Sequence, residues 1–332
     1  MRIFLTGATG YIGSAVLDAL LKAGHQVTAL VRDNAKAARV AAKGAYPVVG
    51  SMADPESYRP TADAQDGYVH TAFDDCGAGV ALDRTTIESL LAAARRPRTS
   101  GALLAPPRFF LYTSGIWVVG RSSEPTDESA PLNPIALAEW RVEHDAMVLE
   151  ANTPQLRTAV IRPGVVYGGG RGLMGDLFKM ATNGLVRVVG DGNNHWPTVY
   201  DRDLADLYVR IAGTDKASGV FNANDEGDES VNDFVSAISP YLPHKPDVRH
   251  VPIEEARSKM GPFADAMALD QIVRSARSRA IGWNPSLHSV AGNAARLLEE
   301  WRAARALASR DVTADLEVGV SQRTHRNFTG PS

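Results

Sequence analysis

Three glycines near the start of the chain have a spacing that binds phosphate groups. The segment TGATGYIG places them after a β-rich run and at the opening of a helical pattern. In such a loop one glycine permits a tight turn, one lets the backbone approach a pyrophosphate, and one lets the helix pack closely on the strand. Free amides at the start of the helix attract the anion. The pattern predicts a dinucleotide-binding loop whose contacts come from Thr6, Gly7, Gly10, Tyr11, Ile12 and Gly13.

A basic residue at the end of the second β-rich run indicates which dinucleotide is bound. NAD-specific proteins tend to carry an acid about 20 residues past the glycines, where it accepts hydrogen bonds from the ribose 2′-OH. Arg32 stands there instead, and a guanidinium pairs with a 2′-phosphate. One alternative is that Asp33 turns towards the ribose and serves as the acid. Another is that Arg32 is only a solvated residue at a strand end. We expect NADP (NADPH), held by Arg32 with support from Lys36 or Arg39.

The scaffold that positions these residues alternates strands with helices. Runs such as RIFLT and QVTALVR are each followed by a segment of helical period, which is typical of a doubly wound parallel sheet. The predicted α/β fold has a Rossmann core at residues 1–165, a substrate lobe at 166–311 with some segments returning to the core, and a mobile tail at 312–332. The predicted helices are 11–23, 83–95, 135–150, 203–212, 231–242 and 289–308, and 94–108 is predicted to be a surface insertion.

Further segments give the chain a family resemblance. The spacing GxxGxxG is similar to that of extended and atypical short-chain dehydrogenases, the NAD(P)-dependent epimerase/dehydratase-like proteins. Segments that recur in such families are GYVHTA at Gly67, FLYTSG at Phe110, RPGVVYG at Arg162, VYDRDLADLY at Val199 and AIGWNP at Ala280. The resemblance covers most of the chain. It implies that Gly164 and Val165 lie beside the nicotinamide carboxamide, and that Ala72 and Pro163 also contact the cofactor.

The resemblance also implies a catalytic trio, of which the chain keeps one member. In the family a Ser or Thr after the central strand and a later YxxxK pair surround the nicotinamide. Ser114 matches the serine, whereas the four-residue spacing puts Leu137 at the tyrosine position and Arg141 at the lysine position. Leucine cannot transfer a proton, and arginine stays protonated and is a poor proton relay. We expect Arg141 to touch cofactor or substrate, and the proton donor to come from elsewhere or chemistry to be absent.

Loops that the family folds over the substrate offer replacement donors. Tyr200 and His195, in HWPTVYDRDLA, are the predicted ones, with a bound water as the alternative. Tyr167 is a third side chain expected at the substrate, although packing is its usual role in RPGVVYG. Trp117 and Trp196 are predicted to form apolar walls of an aromatic substrate pocket, with ordinary packing as the alternative.

Composition excludes several classes of function. The 332 residues are 44% hydrophobic and 22% charged, with a formal net charge of -3, so there is no basic footprint for nucleic acid. Cys76 is the single cysteine, which fits a reducing compartment and a small apolar side chain after a strand. The histidines show no metal-ligand spacing. No signal peptide or membrane span is apparent, so we expect a cytoplasmic protein, with a homodimer possible.

Three functions fit these observations. The first is an NADPH-dependent reductase acting on a carbonyl, imine or activated alkene of a small, apolar molecule. The second is a redox-sensing protein that binds NADP without chemistry, which the absent tyrosine favours. The third is a non-redox isomerase or cyclase on the same fold. The segments GGGRG and NHWP indicate a dedicated substrate lobe and favour an enzyme.

Overall fold

A seven-stranded parallel sheet forms the centre of the structure, a computed structural model that describes residues 1–75, 77–97 and 106–307. The strands in chain order are β1 (Arg2–Thr6), β2 (Gln26–Val31), β3 (Tyr46–Val49), β4 (Gly67–His70), β5 (Arg108–Thr113), β6 (Ser122–Thr126), β7 (Leu156–Pro163), β8 (Val165–Tyr167), β9 (Leu185–Val189), β10 (Thr198–Tyr200), β11 (Gly219–Ala223), β12 (Asp247–Val251) and β13 (Gln271–Val273). The central sheet has the order β11-β7-β5-β4-β1-β2-β3. This confirms the predicted doubly wound α/β class.

Helices cover both faces of this sheet. They are α1 (Tyr11–Lys22), α2 (Asn34–Ala42), α3 (Arg59–Ala62), α4 (Gly79–Arg95), α5 (Glu139–Glu150), α6 (Gly172–Thr182), α7 (Asp201–Gly213), α8 (Val231–Ile238), α9 (Ile253–Met260), α10 (Phe263–Met267) and α11 (Ala276–Ala280), with a further helix at residues 294–307. Alternate residues of β1 point to opposite faces, so Ile3 and Leu5 join a core with α1 and α7, whereas Phe4 joins a core with α4 and α5.

The order of the strands reverses between β1 and β4. From β1 the sheet continues to β2 and β3 on one side, and from β4 to β5, β7 and β11 on the other. Ligands of doubly wound proteins bind in the crevice beyond the carboxyl ends of the strands at such a switch point. Thr6 and His70 end the two strands there, so the predicted loop and the residues after β4 and β5 meet at this edge.

The lobe beyond the sheet is built from short parallel pairs. The strands pair β10 with β8, β12 with β9 and β13 with β6, and a separate apolar core joins α6, α8 and helix 294–307. Two segments cross between the predicted regions. β11 returns to the edge of the central sheet, and β6, from the first half, pairs with β13.

Helix boundaries differ from the predictions where a 3₁₀ turn or a proline intervenes. The helix predicted from 135 begins at Glu139, after a 3₁₀ turn at Ala136–Ala138. The helix predicted to reach 242 ends at Ile238, since Pro240 has no N–H to donate to a carbonyl of the preceding turn. Cys76, residues 98–105 of the predicted insertion and the predicted tail lie outside the described residues.

Candidate functional site

The glycine loop is packed so tightly that two of its glycines admit no side chain. Gly7 has φ +77°, and a Cβ on it would lie 2.7 Å from the Ala72 nitrogen. A Cβ on Gly13 would lie 2.1 Å from the Gly7 carbonyl oxygen, which lets α1 pack directly on the loop. Gly10 differs, because it is exposed and its Cβ would meet only the Gly7 oxygen, at 3.1 Å. The space in front of Gly10 is therefore open to a ligand.

The start of α1 suits an anion. Gly10 occupies the N-cap position in an extended conformation, no side chain caps the helix, and its first turn has no acidic residue. The amides of this turn and the helix dipole thus face the crevice without a carboxylate in their own turn to compete for them. Thr6 lies behind the loop, where its Oγ1 accepts a hydrogen bond from the Ala72 amide at 3.3 Å. These contacts fit the pyrophosphate of a dinucleotide.

The two charged residues that follow β2 differ in their surroundings: the Arg32 side chain is exposed, whereas Asp33 is hydrogen-bonded at the start of α2. The Arg32 side chain is 71% exposed, and its Nη1 lies 3.4 Å from Asp74. Asp33 is the N-cap of α2 and accepts a hydrogen bond from the Lys36 amide at 2.8 Å. The hydrogen bond from the Lys36 amide lowers the pKa of the Asp33 carboxyl. The Lys36 ammonium lies 3.3 Å from the same carboxylate.

A large, mostly apolar cavity lies beyond the carboxyl ends of β1, β5 and β7. Its volume is about 790 Å³. Of the predicted site residues, Tyr11, Ile12, Ser114, Trp117, Arg141, Pro163, Gly164 and Val165 line it. The structure thus brings the start of α1, the end of β5 and the loop after β7 around one space.

Ser114 is placed at this cavity with its hydroxyl incompletely hydrogen-bonded. Its backbone amide donates to the Ile161 carbonyl at 2.8 Å, which fixes the residue at the end of β5. The side chain is buried, and its Oγ makes no hydrogen bond of full geometry in the described part of the chain, although it interacts with the nearby Asp145 carboxylate. A buried polar atom with incomplete hydrogen bonding is costly in a finished core. An oxygen of a bound molecule can complete its hydrogen bonding.

Arg141 sits at the cavity in an aromatic setting that sequence reasoning missed. Its Cζ lies 4.3 Å from the centroid of the Trp140 ring and 5.4 Å from that of Phe73. The two rings stack at 5.1 Å with an interplanar angle of 12°. The Arg141 Nη1 donates a hydrogen bond to the Thr113 carbonyl at 3.4 Å. The guanidinium is therefore held against two rings beside the cavity, as cation–π contact favours.

The two predicted proton donors lie away from this cavity. Tyr200 is buried in the lobe core, and its hydroxyl donates to Glu300 at 3.0 Å. Burial and the Glu300 carboxylate raise the pKa of Tyr200 to about 12. His195 Nδ1 lies 2.8 Å from Asp270. Neither residue lines the cavity, and each is hydrogen-bonded to a carboxylate elsewhere.

Two of the three predicted substrate contacts are also elsewhere. Tyr167 is fully buried, with its ring 5.6 Å from that of Tyr200, and it packs in the core. Trp196 lines a second, smaller cavity in the lobe rather than the large one. Only Trp117 forms a wall of the large cavity among these three, with its ring edge-on to Phe263 at 6.2 Å.

Comparison with known proteins gives the family. A model described as the NAD dependent epimerase/dehydratase family matches residues 3–223. The chain belongs to this family. An uncharacterized protein of Schizosaccharomyces pombe is 29% identical over 297 residues, which span 86% of this chain and 95% of that protein.

Two further relatives carry more descriptive names. A 4-hydroxy-2-methyl-3-oxo-4-farnesyl-3,4-dihydroquinoline-1-oxide ketoreductase of Stigmatella aurantiaca is 26% identical over 267 residues, 78% of each chain. A human epimerase family protein, whose crystal structure contains NADPH, superposes with a TM-score of 0.73 at 20% identity, covering 90% of this chain and 99% of that one. At that identity the second likeness shows the fold alone.

This member of the epimerase/dehydratase family has a buried polar network beneath its site. Asp83 on α4 lies at its centre, 3.2 Å from His70 Nε2 and 2.7 Å from His144 Nδ1. The Tyr112 hydroxyl donates to the same carboxylate at 2.8 Å, and His70 Nδ1 lies 2.5 Å from Thr6 Oγ1. This series of polar contacts connects the end of β1 to α5. In the sequence, the only indication of this network is a histidine at the end of an otherwise apolar strand, GYVH, and the neighbouring residues do not indicate which side chains it contacts.

The network keeps Asp83 ionised in the interior. Burial opposes the charge, but the hydrogen bonds from His144, His70 and Tyr112 outweigh it and hold the pKa of Asp83 well below its usual range. A buried carboxylate with several donors has its hydrogen-bonding capacity used. Asp83 therefore binds the surrounding elements together as an anion.

Metal and membrane features are absent from the described ranges. No group of three or more His, Cys, Asp or Glu side chains there could hold a metal ion. Nor does any helix in 1–75, 77–97 or 106–307 have the length and hydropathy to cross a membrane.

We predict that Asp83→Asn lowers the free energy of unfolding at neutral pH by about 1–3 kcal/mol, because two histidines then face an amide instead of a carboxylate. The folded-state pKa of Asp83 is depressed, so its stabilisation is complete above the unfolded value of about 3.9 and is lost as pH falls through the folded value. Urea unfolding at a series of pH values should show a gap in the free energy of unfolding between the parent and Asp83→Asn, and this gap should narrow below about pH 4. Tyr112→Phe keeps the Asp83 charge, so it should lose less free energy of unfolding than Asp83→Asn. Its stability should fall with decreasing pH as that of the parent does. A gap independent of pH would contradict this account.

Proposed function

We propose that this chain is an NADPH-dependent reductase of a small, apolar organic molecule with a carbonyl, imine or activated alkene. The observation that carries the proposal is the shared cavity. Ser114, Arg141 and the segment from Pro163 to Val165 meet the first turn of α1 around one mostly apolar space. The family supports nicotinamide chemistry, and the name of the Stigmatella relative, a ketoreductase of a farnesyl-bearing quinoline oxide, supports an apolar ketone.

The loop geometry supports the cofactor site. The pyrophosphate fits against the first turn of α1, where Gly10 leaves room and the turn itself carries no acidic side chain. Arg32, largely exposed at the end of β2, is available to a 2′-phosphate. Asp33 is engaged as the α2 cap and so does not serve as the ribose acid. Lys36, whose ammonium faces Asp33, contributes less than Arg32.

The cavity side chains support reduction with few polar groups. When bound, a reduced nicotinamide supplies hydride to the acceptor carbon. The oxygen that gains negative charge needs a donor within about 2.6–3.2 Å, or one water away. The Ser114 hydroxyl, which lies at the cavity and makes no hydrogen bond of full geometry, orients this oxygen, and the Arg141 guanidinium adds positive charge to the same cavity. Because Tyr200 and His195 are committed to carboxylates elsewhere, a bound water delivers the proton.

A second candidate function is NADP sensing without catalysis. Leu137 favours it, because this apolar side chain lines the cavity where the family pattern has its tyrosine. A screen of NADPH consumption against ketones, imines and enones separates the two functions. Turnover of any acceptor excludes pure sensing. NADPH binding without any turnover across the three acceptor classes excludes the proposed reductase.

Gly10→Val should abolish dinucleotide binding while the chain stays folded. The added side chain occupies the open space before the first turn of α1, whereas in the free protein its Cβ meets only the Gly7 oxygen at 3.1 Å. Calorimetric titration with NADPH, alongside circular dichroism, measures both properties. Gly13→Ala is the contrasting variant and should unfold the protein, because its Cβ would lie 2.1 Å from that oxygen. Normal NADPH affinity in Gly10→Val would place the cofactor elsewhere.

Arg32→Ala should reduce NADPH affinity by about 10- to 100-fold, the loss expected for a hydrogen bond between charged groups. NADH affinity should stay nearly constant, since that cofactor has no 2′-phosphate. Calorimetry with both cofactors gives the ratio, and Lys36→Ala is the matched control with a smaller expected effect. If the parent binds the two cofactors equally, or if its preference survives Arg32→Ala, another group reads the ribose.

Ser114→Ala should lower turnover by about 10- to 1000-fold, as for a lost oxyanion or proton contact, with NADPH affinity barely changed. Tyr200→Phe is the control, because its hydroxyl is bonded to Glu300 outside the cavity and its removal should leave turnover intact. Arg141→Ala should instead weaken cofactor binding. Steady-state kinetics with the best acceptor from the screen, together with NADPH titration, distinguishes these effects. Full activity in Ser114→Ala would remove Ser114 from the mechanism.

A further inference from the structure

The lobe contains a second cavity, here called the lobe chamber, that the function described so far does not use. Its volume is about 300 Å³, and it lies among α6, β9, α9 and α10. The apolar residues that line it are Leu173, Leu177, Met180, Val188, Val189, Trp196, Val231, Val251, Ala256, Met260, Phe263 and Met267. Three of them are methionines, whose unbranched, flexible side chains adapt to ligands of varied shape. The chamber thus offers an adaptable apolar surface.

The chamber and the large cavity meet at two side chains. Leu173, in the first turn of α6, and Phe263, at the start of α10, line both spaces. Phe263 also contacts Trp117, a wall of the large cavity, edge-on at 6.2 Å. Leu173 and Phe263 are therefore the side chains that a molecule bound at Ser114 would have to pass in order to reach the chamber.

Charge in the chamber is confined to its exposed edge. Asp176, Arg187 and Lys259 line the chamber, and all three are exposed. Lys259 is paired with Glu255. A nucleoside diphosphate brings two phosphates that need several converging donors, and this set gives it little. A hydrocarbon chain needs none, because its affinity comes from the apolar area that it buries.

We propose that the lobe chamber binds an unbranched alkyl chain of the substrate, so that the substrate class is a ketone with an alkyl tail. The inference rests on the proposed function for the position of the reactive carbonyl. The carbonyl lies at Ser114 in the large cavity, the tail passes between Leu173 and Phe263, and its end lies among the methionines.

A homologous series of methyl ketones tests the inference. With NADP present, calorimetric affinity should rise from 2-butanone through 2-hexanone and 2-octanone to 2-decanone. The rise should be about fourfold for each methylene that the chamber buries, which corresponds to about 0.8 kcal/mol. NADPH consumption with the same ketones tests the proposed reductase separately. Failure of cofactor binding or turnover therefore counts against the proposed function, whereas flat affinity across the series overturns the inference even if every ketone is reduced.

Matched variants on α6 locate the tail. Met180→Trp fills the chamber and should remove the advantage of 2-decanone while leaving 2-butanone unchanged. Lys179→Trp adds the same ring one residue away, outside the chamber lining, and should keep the advantage. If Met180→Trp does not fold by circular dichroism, Met260→Trp replaces it, since Met260 is 43% exposed and tolerates a larger side chain. The inference is overturned if affinity depends equally on chain length in the filled and control variants. It is also overturned if uridine diphosphate binds more tightly than 2-decanone and this binding is lost in the filled variant.

Discussion

The carboxylate of Asp83 holds together the elements on which the site depends. It lies within 3.2 Å of polar atoms on β4, β5 and α5, and His70 extends the connection to Thr6 at the end of β1. A charge in a protein interior is tolerated only when donors surround it, and removing one partner leaves the others unsatisfied. The spacing between the glycine loop and α5 is therefore fixed by hydrogen-bond geometry as well as by apolar packing.

Local constraints explain what could be predicted from the sequence. The glycine loop could be recognised within eight residues, because Gly7 has a positive φ and Gly13 lies against the Gly7 carbonyl, although the residues after β4 also press on both glycines. The alternation of strands and helices follows from hydrophobic periodicity, and it correctly predicted the doubly wound sheet. Ser114 could be placed at the end of β5 for the same reason, since strand ends share one edge of a parallel sheet.

The proton donors could not be predicted because side-chain direction in a short strand depends on distant partners. β10 has three residues, and Tyr200 turns toward Glu300, which lies 100 positions away in the chain. The contacts of Asp83 with His70 and His144 likewise join residues of different elements. Sequence proximity to a loop shows that a residue can reach a site. It does not show which of two faces the backbone presents.

Apolar residues at the large cavity bear on how a substrate gains affinity. Phe73, Val80 and Leu137 line it and are 40%, 40% and 38% exposed, and exposed apolar side chains that converge on one concavity mark a ligand site more often than scattered ones do. A bound apolar molecule covers them, so most of its affinity comes from area removed from water. Ser114 and Arg141 then orient a single polar group. Leu137 extends the apolar wall of the cavity, and because its side chain carries no acidic proton it adds buried apolar area without adding a proton donor.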